Sequence, residues 1–405
     1  MIDWDDSPED ADFRARLRRW LSDELDSEWA SIVPSLPLAQ QLAEFRDWQG
    51  RLAAAGWAGI SWPREFGGYG GTPIQQVILL EELARAGVPR DMFRIGVGLV
   101  GPTLIELGTD AQRRRYLPPM LTGQELWCQG FSEPEAGSDL ASLRTRAESE
   151  GSAFRITGHK VWTTYGKDAD YCLVLARTDQ DAVPHRGISA FIVDLSQDGV
   201  EARLIRQING ESDFSELYLD GVRVGPEDII GSLGGGWHAA MVMLGFERRM
   251  IANFAFACVT LLRQMRPLFG DEPSPAFGEL VLRARLAVLN AYRFAQMPAM
   301  PGPESSLQKL QATELLHEIH ELRFRETLAR VGRPSHQDGG DLEAAGRGLL
   351  SAYGMTLAGG TSEIQRNILA QRALGLPREP QFTEMEWTSR PHTSIFFSER
   401  LSEIS

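Results

Sequence analysis

Apolar residues along the first 120 or so positions recur at the spacing of amphipathic helices. Phe13, Leu17, Trp20, Leu21 and Leu25 fall on one face, and Ser7-Pro8-Glu9-Asp10 ahead of them supplies an N-cap, a proline for the first helical position and acids for the first turn. A second helix is predicted over residues 38–55, stopped by Gly56, and the run Phe66-Gly67-Gly68-Tyr69-Gly70-Gly71 reads as a loop. Two further helices are predicted over residues 74–86 and 102–107.

From about Glu125 to Asp228 the pattern shortens to strand-like bursts. These are Phe154-Arg155-Ile156-Thr157, Tyr171-Cys172-Leu173-Val174-Leu175 and residues 189–193 and 216–219, with Asn209-Gly210 and Asp220-Gly221 as turns between strands. After Gly234-Gly235-Gly236 helical spacing returns and holds to about Leu374, broken by loops at 298–303 and 336–341. The tail beyond Pro377 has no periodicity and reads as a poorly ordered or partner-docked extension. The predicted class is α+β: a helical domain at 1–122, a middle β-domain (barrel or sandwich) at 123–232, a helical bundle at 233–378 and an extension at 379–405.

Composition narrows the function. A chain of 405 residues with 43% hydrophobic content can bury a large core spread over two or three units. The longest uncharged stretch, residues 250–262, has the length of a buried helix and not of a membrane span. The acidic N-terminus lacks the features of a signal peptide. A net charge of −14 argues against nucleic acid or an anionic membrane as the main partner, though local arginines can still hold a phosphate-bearing ligand. Cys128, Cys172 and Cys258 are far apart, and the seven histidines have no ligand spacing. We therefore expect reduced, buried thiols, no metal and a cytoplasmic enzyme.

Three segments carry a resemblance. The first is Gln129-Gly130-Phe131-Ser132-Glu133-Pro134-Glu135-Ala136-Gly137-Ser138-Asp139-Leu140, followed by Ile156-Thr157-Gly158-His159-Lys160-Val161-Trp162-Thr163-Thr164. The second is Gly236-Trp237 with Phe246-Glu247-Arg248. The third is Gly359-Gly360-Thr361-Ser362-Glu363-Ile364-Gln365-Arg366-Asn367, leading to Ala373-Leu374-Gly375-Leu376-Pro377. In this order and spacing they resemble the acyl-CoA dehydrogenase family over residues 10–378. The resemblance implies an N-terminal helical domain, a middle β-domain and a C-terminal four-helix bundle. It also implies flavin adenine dinucleotide (FAD) between β-domain and bundle, often completed by a neighbouring subunit. The implied substrate is an acyl-CoA or acyl-carrier thioester, and the implied electron acceptor is an electron-transferring flavoprotein. The assembly would be a homo-oligomer or a heterotetramer of two kinds of subunit.

Desaturating a thioester between its α and β carbons requires a base for the α-proton and an acceptor for the β-hydride. No side chain accepts hydride, so a cofactor must. Negative charge develops on the thioester oxygen, which calls for hydrogen-bond donors aimed at it. In the family's best-known members the base immediately precedes the Gly-Thr of the third segment, where this chain has Gly359. A subset of the family carries the glutamate after the β-domain, next to an arginine, as Glu247-Arg248 stands here. The resemblance therefore implies Glu247 as base and the Gly359 amide as a donor to the thioester oxygen. Pattern alone would make Glu247 a solvated helix residue.

By the same likeness Gln129, Phe131, Ser132 and Ser138 run along the flavin ring and pyrophosphate, with Ser138 also touching the pantetheine arm. Trp162, Thr163 and Thr164 cover the flavin, and Thr361 and Glu363 contact the cofactor from the third segment. Trp162 taken alone reads as a core aromatic. Arg248 either seats the substrate and orients the base or is a structural ion-pair partner.

Two departures bear on the cofactor. Arg266-Pro267-Leu268-Phe269-Gly270 looks like the family's Arg-x-x-Phe-Gly diphosphate segment but lies about two helical turns too near Glu247, and Pro267 suits a helix end. The family's Gln-x-x-Gly-Gly-x-Gly segment is missing between Leu328 and Met355. These departures leave two readings open: an FAD site complete in the chain's own oligomer, or one that a partner subunit completes. Besides the dehydrogenase, two readings stay open: a flavin monooxygenase or oxidase on the same fold, disfavoured by Glu247, and a partner subunit that binds little FAD.

Overall fold

The computed structural model describes residues 5–26, 28–88, 92–270, 274–297, 302–330 and 339–378. The expected extension at 379–405 lies outside these residues, as do most of the loop at 298–303 and the first half of that at 336–341.

Helix α1 (Pro8–Glu24) begins where the sequence places it. The Ser7 hydroxyl accepts from the Asp10 N–H at 3.1 Å, and Pro8 fills the first helical position. Next come α2 (Trp29–Ile32), α3 (Leu38–Ala54), α4 (Pro73–Ala86), α5 (Gly101–Leu107) and α6 (Asp110–Leu121). They close over a core that includes Phe13, Trp48, Trp57, Trp62, Ile78 and Leu104. The sequence pattern does not reveal α6. Pro118 and Pro119 lie inside it, and its start rests on a Thr109–Gln112 capping box.

Seven strands form one mixed sheet: β1 (Trp127–Gly130), β2 (Arg146–Glu150), β3 (Ala153–Thr164), β4 (Tyr171–Arg177), β5 (Ile188–Asp194), β6 (Val200–Ile205) and β7 (Phe214–Val224). The order is β1-β4-β2-β3-β7-β6, with β5 on β4; β1 and β2 run parallel to β4 and the remaining pairs are antiparallel. Strands β1, β2 and β6 escape the sequence reading. β1 is only four residues long, and β2 and β6 are largely exposed, so none shows a clear apolar alternation.

Asp220-Gly221, expected to separate strands, lies within β7. The β3–β7 register slips by one residue between Ile156/Val222 and Gly158/Leu219, so the pair forms a bulge and not a strand end. A second bulge inserts one residue into β3 between Lys160 and Thr163.

The chain then enters α7 (Gly236–Arg249), α8 (Ala252–Met265), α9 (Pro275–Ala295), α10 (Glu304–Leu328), α11 (Gly339–Leu357) and α12 (Ser362–Ile368). Helices α8 to α11 form the four-helix bundle, with Cys258, Leu262, Ala284, Leu315 and Ile319 in its core. The three cysteines are free and buried. A 3-10 turn, Arg266–Phe269, ends α8 at Pro267, the helix-terminal role expected of that proline. Arg14 ties α1 to α4 and to the bundle by bonding Asp6, Glu82 and the Tyr292 hydroxyl of α9 at 2.6–3.0 Å.

Helix α7 is seated on the sheet through Gly236. A Cβ there would lie 2.5–2.8 Å from the backbone of Ser189 and Ala190, closer than van der Waals contact allows. Gly236→Ala is therefore expected to cost about 1–3 kcal/mol, as overpacking does. In contrast, Gly278→Ala, in the interior of α9 with open space around the new methyl, should stabilise by roughly 0.5–1 kcal/mol. Thermal or denaturant unfolding of the two variants checks the opposite signs.

Candidate active site

Glu247 lies in the last turn of α7. Gly236, Ala240 and Met243 form a buried stripe along this helix, and Glu247, four residues beyond Met243, prolongs it. The carboxylate thus keeps only partial exposure. Burial pushes its pKa above the ordinary glutamate value, while Arg94, Arg248 and Lys309 pull the other way and are outweighed.

Facing it is Gly359, in the turn between α11 and α12. A Cβ on Gly359 would lie 3.4 Å from Glu247 Oε1. The backbone there has φ +66°, a conformation other residues rarely adopt, so the turn favours glycine, and the carboxylate lies within van der Waals reach of where a side chain would begin. Gln365 Nε2 donates to the Gly359 carbonyl at 2.9 Å, and Lys309 Nζ donates to the Thr356 carbonyl at the end of α11, also at 2.9 Å. Burial lowers the pKa of the Lys309 ammonium to about 8, against the opposing pull of Glu314, Glu247 and Glu363. Arg248 is half-buried, its pKa lowered by burial and by Arg372, and it forms no ion pair among the described residues.

On the sheet side, Val161 N–H donates to the Ser132 carbonyl at 2.9 Å, joining the loop after β1 to the end of β3. The β3 bulge places Trp162 at φ +61° with 57% of its surface exposed, edge-on to Phe214 at 5.9 Å, so it is not a core aromatic. Ser138 is exposed, and Gln129, Ser132 and Thr164 are half-buried. Phe131 and Thr163 turn their side chains into the interior, which leaves only their backbone groups to face a ligand. Thr361 caps α12 by accepting from the Ile364 N–H at 3.2 Å. The neighbouring Ser362 Oγ is buried without a partner, and Glu363 is exposed.

A π-helical turn, Gly96–Val100, lies between the two halves. A Cβ on Gly96 would meet Trp127 of β1 at 3.4 Å, and one on Gly98 would meet Met250, just past α7, at 3.5 Å. Asn209, in the β6–β7 loop, donates to Ser351 of α11 at 2.7 Å and joins sheet to bundle. The sheet side offers an exposed indole at Trp162 and hydroxyls at Ser132, Ser138 and Thr164, and the bundle side the buried, unpartnered Ser362 hydroxyl. An aromatic face and hydroxyls are groups that can stack on and hydrogen-bond a flat, acceptor-rich cofactor.

Residues 7–124, 128–222 and 277–374 match, in turn, the N-terminal, middle and C-terminal domains of acyl-CoA dehydrogenases. The chain belongs to the acyl-CoA dehydrogenase family. It is 38% identical to acyl-CoA dehydrogenase IpdE1 of Mycobacterium tuberculosis, across 91% of this chain and 98% of that protein. It is 36% identical to acyl-CoA dehydrogenase FadE34 of the same organism, over 90% of this chain and 51% of that one. Among solved structures, the Tcur3481-Tcur3483 steroid ACAD is similar at a TM-score of 0.81 and 28% identity, covering 93% of this chain and 100% of that one. The ChsE4-ChsE5 complex from Mycobacterium tuberculosis is similar at 0.79 and 28% identity, with the same coverage. The chain is accordingly an acyl-CoA dehydrogenase, of a flavin-dependent family. No helix among its described residues is long and apolar enough to cross a membrane.

Sequence reasoning passed over Arg94, Lys309 and Gln365. Lys309 had a signal, since it is in helical register with Ala312, Leu316 and Ile319, all buried. A lysine on an apolar stripe marks a buried charge.

Because folding raises the pKa of Glu247, its ionised form is destabilised in the native state. That cost is absent below the unfolded pKa, grows as pH rises through the folded pKa and is complete above it. Glu247→Gln should therefore raise the melting temperature at about pH 8 and change it little at about pH 4. Paired melting curves across that range test the sign.

Proposed function

We propose that the chain oxidises an acyl-CoA thioester to its α,β-unsaturated product, with Glu247 removing the α-proton. The observation that carries this reading is the carboxylate resting against Gly359, the position where the family's best-known members carry their base. A glutamate arriving from α7 fills the space that the missing side chain leaves. Desolvation makes it a stronger base, and Arg94, Arg248 and Lys309 oppose that rise and favour the ionised form. The Gly359 amide would donate to the thioester oxygen as charge develops there.

FAD, when bound, supplies the acceptor for the β-hydrogen as hydride. Gln129, Ser132, Ser138, Trp162 and Thr164, with the backbone of Phe131 and Thr163, would hold its ring and nearby phosphate. Thr361 and Glu363 would approach from the bundle. Ser138 and Arg248 would meet the substrate. Similarity to the Tcur3481-Tcur3483 steroid ACAD favours a bulky alicyclic acyl group. An electron-transferring flavoprotein would then accept the electrons, and the free buried thiols suit the cytoplasm.

A heteromeric assembly is part of the reading. Both diphosphate-binding segments depart from the family's pattern, and Leu282, Leu286 and Leu289 form an exposed apolar stripe on α9. A homologous subunit that supplies the missing contacts would cover such a face.

Anaerobic titration with a panel of acyl-CoA thioesters, steroid-derived ones included, is expected to bleach the bound flavin. Glu247→Gln should slow the bleaching by about 10²–10⁴-fold while FAD stays bound. Unchanged bleaching would remove Glu247 as base. Rapid reoxidation by oxygen, with peroxide or a hydroxylated product, would mark an oxidase or monooxygenase instead. Co-expression with a homologous subunit encoded nearby is expected to raise FAD content, and a preparation that stays colourless even then would refute the dehydrogenase reading.

A further inference from the structure

The most deeply buried ion pair in the described residues lies outside the chemistry above. Lys160, on β3, is 0% exposed, and its ammonium donates to Glu133 Oε1 at 2.7 Å and to the Phe131 carbonyl at 3.2 Å. Glu133, 8% exposed, accepts in addition from the Arg144 N–H at 2.6 Å and the Thr145 N–H at 2.9 Å. Burial pushes the Glu133 pKa up, but Lys160 and these donors outweigh it and hold the carboxyl below the ordinary range.

A buried pair of this kind adds little net stability, because desolvating two charges cancels most of their attraction. Its position offers a different account. Glu133 follows Ser132, and Lys160 stands two residues before Trp162. The carboxylate also closes the far end of the 131–145 loop, where Thr145 packs so tightly on Gly158 that a Cβ there would lie 2.2 Å from its hydroxyl. Val161 N–H to the Ser132 carbonyl, at 2.9 Å, completes the join. The two ends of the loop and the bulged end of β3 thus meet at a single ion pair.

We propose that Lys160 and Glu133 are positioning residues that lock the Gln129–Ser138 loop to the Trp162–Thr164 bulge, setting the relative placement of the two segments that face the flavin. This rests on the FAD reading given above. Neither side chain touches the ligand; each acts through the backbone that it bonds. The bulge itself is strained at Trp162, and such a conformation persists only where its surroundings over-determine it.

The test is Lys160→Met combined with Glu133→Gln, since either change alone would strand a buried charge and risk failed folding. The double variant removes both charges and leaves an amide oxygen for one of the two loop N–H groups. It is expected to melt within a few degrees of wild type. Its FAD affinity, measured by flavin fluorescence with any partner subunit present, should fall by about 10²-fold, the cost typical of a small misplacement. Hydrogen exchange should quicken at residues 131–136 and 161–164 and stay unchanged elsewhere in the sheet. Wild-type affinity together with wild-type exchange would overturn the proposal. So would faster exchange spread across the whole sheet with a large drop in melting temperature, since the pair would then be a general stabiliser. If the wild-type chain takes up no FAD even with a partner, the FAD reading fails, and the exchange measurement alone still decides whether the pair locks the two segments.

Discussion

The candidate site is organised around one half-buried carboxylate held against a backbone position that has no side chain. Glu247 sits at the end of a helix whose buried stripe it continues, and Gly359 provides the room it occupies. Each position constrains the other. A side chain on Gly359 would need an unfavourable backbone conformation and would meet the carboxylate at contact distance, and moving α7 would carry the carboxylate away from Gly359. Burial makes the carboxyl harder to ionise, and three nearby cations limit how far.

The scaffold serves that placement from both sides. Gly236 lets the start of α7 rest directly on β5, which fixes the helix along its axis. Lys309 and Gln365 hold the carbonyls on either side of the α11–α12 turn, so the backbone facing Glu247 is set by two buried side chains. The π-helical turn and the Asn209–Ser351 bond close the junction between sheet and bundle. Arg14 does similar work at a distance by tying the N-terminal helices to the bundle.

The sheet half of the site depends on local irregularity. An extra residue in β3 reverses the expected direction of Trp162 and exposes an indole that strand alternation would bury. The Lys160–Glu133 pair lies directly behind that bulge, where two strongly hydrated groups are kept out of water by their own hydrogen bonds. The strained residue faces outward, and the buried charges lie in the interior behind it.

Helix caps, apolar spacing and turn residues were enough to read α1, α3, α4 and the helix–sheet–helix order, because those signals are local to a few residues. The candidate carboxylate was legible only through its place in a motif, since a glutamate near a helix end is most often solvated. The short or exposed strands β1, β2 and β6 were hidden because their pairing is satisfied by distant neighbours and not by their own pattern. Tertiary structure alone decided that Asp220-Gly221 would bulge within a strand, that Trp162 would face outward, and that Glu247 would meet Gly359, 112 positions away by number. Each of these follows from register and close approach between distant segments, which composition and periodicity do not encode.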